Sequence, residues 1–308
     1  MLAYLFPGQG AQSAGFLHRL PAHAAIRDTL AEASQVLGTD VLALDTAEAL
    51  RSTVAVQLTL VIAGVAMTRQ LAADGLFGEL SAGLSIGAYA AAVSCEALAF
   101  ADALRMAKKR AELMERAYPG GYGLSAIAGL GEHEIETLTR ETADAAAGRV
   151  YIGNVNAPRQ IVVAGSDTAL EAFNERALAA GARKATRLDV SVPSHCELLA
   201  HASDQLLAYS AGVPFRAPRS TYIGNRGARP LHTADAIRDD LVTNMRHTVR
   251  WFDALSVMIE MGATVLVEAP PGQVLTDIAS DAYPEVHALA SSTIAQDKLA
   301  ETIRRRLA

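Results

Sequence analysis

Cysteine is nearly absent from the 308-residue chain, which has two such residues, Cys95 and Cys196. They form no spaced metal or redox motif, which fits a reducing compartment and makes the cytoplasm the expected location. Their thiols read as small core residues. Positive charge is also in short supply: 27 Lys and Arg stand against 33 Asp and Glu, a formal charge of −6. Nucleic acid is therefore not expected as a partner, because phosphate binding calls for a surplus of cations on one face. Long apolar runs are missing too. The longest, Leu58 to Met67, is bounded by Gln57 and Arg69 and is too short to span a bilayer, so it reads as a buried helix and no membrane partner is expected. Residues Met1 to Phe6 are apolar but meet Pro7-Gly8 with no basic lead or cleavage site, and read as a first strand rather than a signal peptide. The histidines at 18, 23, 133, 201, 232, 247 and 287 show no H-E-x-x-H or comparable spacing, so no metal is predicted. What remains is 51% hydrophobic and 19% charged, a globular composition.

One stretch organises the rest. Gly83-Leu84-Ser85-Ile86-Gly87 is a G-x-S-x-G pentapeptide between a short apolar run and an alanine-rich helical run. A serine there sits on a sharp strand-to-helix turn, with glycines where side chains would collide. Ser85 is the candidate nucleophile, and the Ile86 N–H, at the positive end of the following helix, the candidate oxyanion donor. The competing reading is a chance match in a chain rich in alanine and glycine.

The first strand runs into Pro7-Gly8-Gln9-Gly10-Ala11-Gln12, with Gln9 at its carboxyl end. Ligands of parallel α/β sheets bind beyond the carboxyl ends of the strands, so Gln9 and Ser85 are expected to face one crevice. A dinucleotide loop would need a third glycine that Gly8-x-Gly10 lacks, and a plain turn is the stronger rival.

Helical segments follow around Ala22–Leu37 and Val54–Ala73. A clear helical period then covers Phe100 to Ala117. On a wheel of about 100° per residue, Leu104, Ala103, Ala107, Ala111, Met114, Met106 and Leu113 share one half, and Arg110 falls among them. A buried arginine needs an anion. Either an internal acid pairs with it, or its planar fork clamps a substrate carboxylate.

From about residue 123 the pattern is strand Leu124–Leu130, helix His133–Ala147, strands Val150–Val155 and Gln160–Gly165 around an Asn156-Ala157-Pro158 turn, helix Ala169–Ala180 and strand Arg183–Val190. This βαββαβ order is ferredoxin-like. The chain is accordingly divided into 1–122 and 192–308, forming a large α/β subdomain, with 123–191 inserted as a small one. Further strands are expected at Thr221–Gly224, Thr264–Glu268 and Val286–Ala290, with helices between them.

At the return point, Ser191-Val192-Pro193-Ser194-His195-Cys196 is expected to open a helix. A histidine beside a proline-fixed turn is rigidly placed, so His195 is the candidate general base. Cys196 is set aside as nucleophile, because an adjacent residue points away from its own base. A lone histidine is more often surface or core filler, and only the elbow raises this one.

Together, Pro7-Gly8-Gln9-Gly10-Ala11-Gln12, Gly83-Leu84-Ser85-Ile86-Gly87, Arg110, Val192-Pro193-Ser194-His195, Val249-Arg250-Trp251 and Glu268-Ala269-Pro270-Pro271-Gly272-Gln273-Val274-Leu275 resemble the malonyl-CoA:acyl carrier protein transacylase family from end to end. The resemblance implies an α/β-hydrolase-like large subdomain with a parallel sheet and a ferredoxin-like small one. It implies that Ser85 takes the acyl group, that His195 activates it, and that Arg110 pairs with a malonyl carboxylate. Gln9 and the Ile86 N–H would bound the oxyanion site. The main-chain carbonyl of Asn244 would orient His195 in place of a triad carboxylate, so neither Asp189 nor Asp253 is needed there. Leu84, Asn154 and Asn156 would line the substrate pocket. The elbow departs from the usual Gly-His-Ser-Leu-Gly, with Leu84 in the histidine's place and Ile86 in the leucine's, and Thr248 replaces a common proline. Gly-Leu-Ser-Ile-Gly-Ala is more similar to the epsilon subunit of bacterial malonate decarboxylase, a family relative.

The implied reaction moves malonyl from malonyl-CoA to a carrier protein's thiol, on a phosphopantetheine-type arm, with no bound cofactor. The carrier would be that of malonate decarboxylase, or alternatively of fatty-acid synthesis. A serine esterase or thioesterase uses the same elbow, and a non-catalytic scaffold would leave Ser85 and His195 incidental. Arg110 speaks against the hydrolase, which has no general need of a cation on an apolar helix face. An acidic carrier calls for a basic docking patch, with Arg183, Lys184 and Arg187, or Arg304, Arg305 and Arg306, as candidates.

Overall fold

The structure, a computed structural model, describes residues 1–142, 148–295 and 298–308. Ten strands are labelled in chain order: β1 Leu2–Phe6, β2 Leu80–Gly83, β3 Tyr122–Ala128, β4 Tyr151–Ala157, β5 Gln160–Ser166, β6 Lys184–Arg187, β7 Thr221–Ile223, β8 Pro230–Leu231, β9 Val265–Glu268 and β10 His287–Ala290. They build two sheets. The larger has the order β10-β9-β1-β2-β7-β8 and is parallel as far as β7. The edge hairpin partner β8, antiparallel to β7, was not expected from the sequence; two residues are too few for a periodic signal.

The alternation of β1 shows how this sheet is covered. Leu2, Tyr4 and Phe6 pack into the cluster built by helices Thr53–Ala73, Gly87–Ser94 and Phe100–Ala117, while Ala3 and Leu5 pack into that of Trp251–Glu260 and Val274–Ala282. Both faces are thus buried, as a parallel sheet flanked by helices requires. Helix Thr53–Ala73, capped at its start by the Ser52 hydroxyl, is by length and composition able to cross a membrane. Its most apolar window is 89% buried inside the protein, however, so it serves as the central core helix.

The smaller sheet has the order β4-β5-β3-β6, with all pairs antiparallel. With helices Glu132–Thr142 and Asp167–Ala179 it forms the ferredoxin-like βαββαβ unit. Ile127, Ile161 and Val163 face those helices. Leu124, Val162 and Ala164 face the other way and meet Cys196, where the chain rejoins the larger sheet.

Several boundaries move. The first strand of this unit begins at Tyr122 and ends at Ala128, so the division at 122/123 cuts inside it. The first helix is described as Glu132–Thr142, and the rest of the expected helix, 143–147, lies outside the described residues. Asn156 belongs to β4, and the hairpin turns at Pro158-Arg159 instead. The last strand stops at Arg187 rather than Val190 because the chain curls around the Arg187 guanidinium, which donates to the carbonyls of Tyr122, Leu124, Leu188 and Val190 and pairs with Asp167 at 2.6 Å. Arg187 is thus held by partners within its own subdomain, while the residue stays exposed. Arg183 and Lys184 are exposed, as are Arg304, Arg305 and Arg306, with Arg304 donating to the Asp74 carbonyl.

The two sheets are tied through β4. Val155 N–H donates to Val249 O and Val249 N–H to Gly153 O, each at 2.9 Å, and the Thr248 hydroxyl donates to Ile152 O at 2.8 Å. A proline at 248 would have no such hydroxyl. Arg250 adds an ion pair to Glu132 and another to Asp253, the latter at 2.7 Å.

Candidate active site

Strand β2 ends at Gly83, and the next helix begins at Gly87 with Ile86 as its N-cap. The turn between them is so tight that a Cβ on Gly83 would lie 2.0 Å from the Gly87 carbonyl carbon, and one on Gly87 would lie 2.2 Å from Phe6 O. Only glycine fits at either place. Ser85, at the apex, has φ +56°, a left-handed conformation that costs a non-glycine residue energy and persists only where its surroundings hold it. The holding group is Asn225: its Oδ1 accepts from Ser85 N–H at 2.9 Å and its Nδ2 donates to Gly83 O at 2.8 Å. Asn225 is itself fixed by its N–H donating to the buried Asp240 carboxylate, which also accepts from Tyr222 Oη at 2.8 Å.

His195 does not open a helix as expected. It sits in an irregular segment at φ +68°, ahead of a 3-10 turn at Glu197–Leu199. Two bonds to one short turn fix it: His195 N–H donates to Met245 O at 2.7 Å, and Nδ1 lies 2.7 Å from Asn244 O. A carbonyl can only accept, so Nδ1 carries the proton and Nε2 is left with its lone pair. That lone pair faces Ser85 Oγ at 2.7 Å. The result is a serine–histidine pair oriented by a main-chain carbonyl. Asp253 is turned to Arg250, and Asp189 stands exposed at the cavity wall, so neither orients His195.

Arg110 projects from helix Phe100–Ala117 into the same place and is 0% exposed. Nη2 donates to Ser85 Oγ at 3.1 Å and to Asn244 Oδ1 at 3.2 Å, and Nη1 donates to Gln57 Oε1 at 2.8 Å. Nε–H has no partner, and among the described residues Arg110 forms no ion pair. The internal salt bridge left open by the helix pattern is therefore not found among the described residues. Burial pulls the guanidinium down to about 10, which leaves it charged at neutral pH. Burial first, and the Arg110 charge second, push the His195 imidazole down to about 3.

Ser85, His195 and Arg110 share a cavity of about 460 Å³ with Gln9, Leu84, Ile86, Asn154, Asn156 and Gln57. It opens between the two sheets, with β4 and the Leu188–Val190 segment on one side and the elbow on the other. Leu84 packs against Gly8, where an added Cβ would meet its side chain at 2.5 Å. Asn156 Oδ1 is buried with no hydrogen-bond partner among the described residues. A second cavity, about 480 Å³ beside Phe16, Met67 and Pro271, contains none of these groups. Among the described residues, no cluster of three or more His, Cys, Asp or Glu side chains could hold a metal ion.

Comparison with known proteins bears on this geometry. The acyl transferase domain family matches residues 3–305. A malonyl CoA-acyl carrier protein transacylase of Salmonella typhimurium is 38% identical over 282 residues, 90% of this chain and 91% of the relative. The chain belongs to the malonyl-CoA:acyl carrier protein transacylase family. The acyl-carrier-protein S-malonyltransferase of Burkholderia pseudomallei superposes with a TM-score of 0.92 at 35% identity, covering 97% of this chain and 99% of that one. A malonyl-transacylase solved in complex with a type II PKS acyl-carrier protein matches with a TM-score of 0.92 at 35% identity, covering 98% and 99%.

In this acyltransferase three polar residues of the site were not foreseen as such. Gln57 was visible only as the polar boundary of the apolar run, and a polar residue 1% exposed on a core helix carries the same signal that singled out Arg110. Asn225 gave no signal, following a glycine in what reads as an ordinary turn. Asn244 was expected to contribute its main-chain carbonyl, but its side chain takes part as well. Cys196 donates to Pro193 O, and burial raises its thiol to about 12, while Cys95 is raised to about 11. Neither thiol is a nucleophile near neutral pH.

Proposed function

We propose that this acyltransferase moves malonyl from malonyl-CoA to the thiol of an acyl carrier protein through an ester on Ser85. The observation that carries the reading is the contact of one hydroxyl with both an imidazole lone pair, at 2.7 Å, and an unpaired guanidinium, at 3.1 Å. A nucleophile and base alone would serve any acyl ester. The buried cation selects an acyl group with its own carboxylate.

In the first half-reaction His195 Nε2 takes the Ser85 proton as Oγ adds to the thioester carbonyl. The C–S bond breaks, and the proton held on Nε2 passes to the CoA sulfur. In the second half, the carrier thiol gives its proton to Nε2, its sulfur attacks the ester, and Ser85 recovers its proton. The oxyanion of each tetrahedral adduct is assigned to the Ile86 and Gln9 N–H groups. Ser85 N–H is already spent on Asn225, while Ile86 and Gln9 N–H have no acceptor among the described residues. Arg110 is assigned the malonyl carboxylate, with Asn154, Asn156 and Leu84 lining the pocket. Residues 123–191 are treated as a lobe closing over the larger subdomain of 1–122 and 192–308, and the site of action is the cytoplasm.

Within this reading the carrier is that of malonate decarboxylase, on the strength of the Gly-Leu-Ser-Ile-Gly elbow. The second reading is a fatty-acid carrier; relatives named as malonyl CoA-acyl carrier protein transacylases support a free acyl carrier protein as acceptor. The deciding experiment is intact-mass measurement of the protein after incubation with malonyl-CoA, then with each carrier in turn. A persistent malonyl adduct, lost on adding one carrier and not the other, supports transfer and names the carrier. Release of free malonate with no adduct assigns the protein to the hydrolases instead.

A further inference from the structure

Asn244 is 0% exposed, and three of its polar groups, the main-chain carbonyl and both side-chain atoms, each touch a different member of the site. Its main-chain carbonyl accepts from His195 Nδ1. Its side-chain Oδ1 accepts from Arg110 Nη2 at 3.2 Å, and its Nδ2 donates to the Ser85 main-chain carbonyl at 3.3 Å. The orientation of the carboxamide is fixed by chemistry: a guanidinium can only donate and a carbonyl can only accept, so oxygen must face Arg110 and nitrogen must face Ser85.

Two consequences follow. The Ser85 carbonyl belongs to the same planar peptide as the Ile86 N–H, and the two point in opposite directions. Asn244 shares the grip on that carbonyl with Ala88 N–H, at 3.1 Å, and so helps to aim the N–H end, which is the group assigned to the oxyanion. At the other side of the carboxamide, Arg110 is held by a neutral dipole. With Gln57 as its other amide partner, the guanidinium is positioned on two sides without losing its charge. An acid at 244 would hold it equally well and cancel it.

We infer that the Asn244 side chain is a positioning residue and a determinant of selectivity, setting the oxyanion peptide while keeping Arg110 free for an anionic acyl group. The inference rests on the malonyl-transfer reading and reaches beyond it to a side chain whose main-chain carbonyl alone is accounted for there.

The test uses single-turnover loading of the full-length protein from malonyl-CoA and from acetyl-CoA. Asn244→Asp preserves shape and the main-chain carbonyl but places a carboxylate on Arg110. The carboxylate also lacks the Nδ2 donor to the Ser85 carbonyl, so acetyl loading is expected to fall about tenfold through kcat, as in Asn244→Ser, whereas malonyl loading is expected to fall a further ~100-fold through a raised KM. Asn244→Ser removes both side-chain bonds without adding charge and is expected to lower kcat about tenfold for both donors, with KM little changed. Wild-type malonyl loading in both variants, or an equal loss of malonyl and acetyl loading in Asn244→Asp, overturns the inference. If Asn244→Asp does not fold, the kcat and KM of Asn244→Ser decide it alone, a wild-type kcat overturning it. Absence of any malonyl ester on the wild-type protein overturns the transfer reading and this inference with it, whereas a normal wild-type ester with unaffected variants overturns this inference only.

Discussion

Arg110 Nη2 lies 3.1 Å from Ser85 Oγ, and among the described residues that guanidinium has only neutral partners: two carboxamides and one hydroxyl. A fully buried cation with no counter-charge is costly, because burial removes hydration that neutral dipoles only partly replace. The protein bears that cost beside the hydroxyl proposed as its nucleophile. In the proposed reaction a carboxylated acyl group would remove it on binding, which would link substrate choice to the place where the bond is made.

Replacing Arg110 by alanine should reduce malonyl loading about 100-fold, the equivalent of roughly 3 kcal/mol for a buried charge-assisted pair, with no gain for acetyl-CoA. Rates of ester formation followed by mass would show it. Unchanged malonyl loading would mean that the guanidinium has another purpose.

The pH profile should be unusual for a histidine base. His195 must be neutral to act, and its imidazole lies near 3, so lowering pH through the ordinary range around 6.5 should leave kcat/KM for malonyl-CoA almost flat. In Arg110→Ala the acid limb should move upward, since the second cause of the depression is gone. An acid limb near pH 6.5 in the wild-type enzyme would contradict this account. Stability has its own sign: the unfolded chain takes up a proton that the native site refuses, so the contribution of neutral His195 is complete above about pH 6.5 and is lost progressively as pH falls towards 3.

Asn225→Ala should leave the Ser85 N–H and the Gly83 carbonyl without partners, at a cost of about 2–4 kcal/mol. Urea denaturation measures that loss, and malonyl loading should slow as the strained elbow relaxes. A change in stability below about 0.5 kcal/mol would show that the elbow holds itself.

Gly83→Ala and Gly87→Ala should each prevent folding or cost more than about 3 kcal/mol, because the new methyl meets backbone at 2.0 and 2.2 Å. Gly120→Ala, where nothing lies within 4 Å, is the control and should be neutral within about 0.5 kcal/mol. Thermal melting of the three variants separates a steric requirement from a general preference for glycine.

Much of this protein could be read from its residues in order. The elbow was legible as a candidate because a serine between two glycines, after an apolar strand and before a helix, fits a sharp turn, and the matching blocks elsewhere in the chain weighed against chance. Arg110 was legible because one cation broke an otherwise apolar helical face, and the βαββαβ unit because period two and period 3.6 alternate cleanly there. The strand ends were less accurate. Arg187, counted towards a docking surface, ends β6 early by drawing four carbonyls around itself, a packing event with no periodic trace.

The sequence by itself determined the two kinds of sheet and the glycines that the turn cannot do without, and it singled out the hydroxyl, imidazole and guanidinium as candidates. It did so because local sterics and hydrophobic periodicity act over a few neighbouring residues. Which amides stand against them was decided only by the tertiary structure. Gln57, Asn225 and Asn244 come from a core helix, a loop and a 3-10 turn, and converge on Ser85 and Arg110 because a buried donor or acceptor must find its partner wherever the fold brings one within reach.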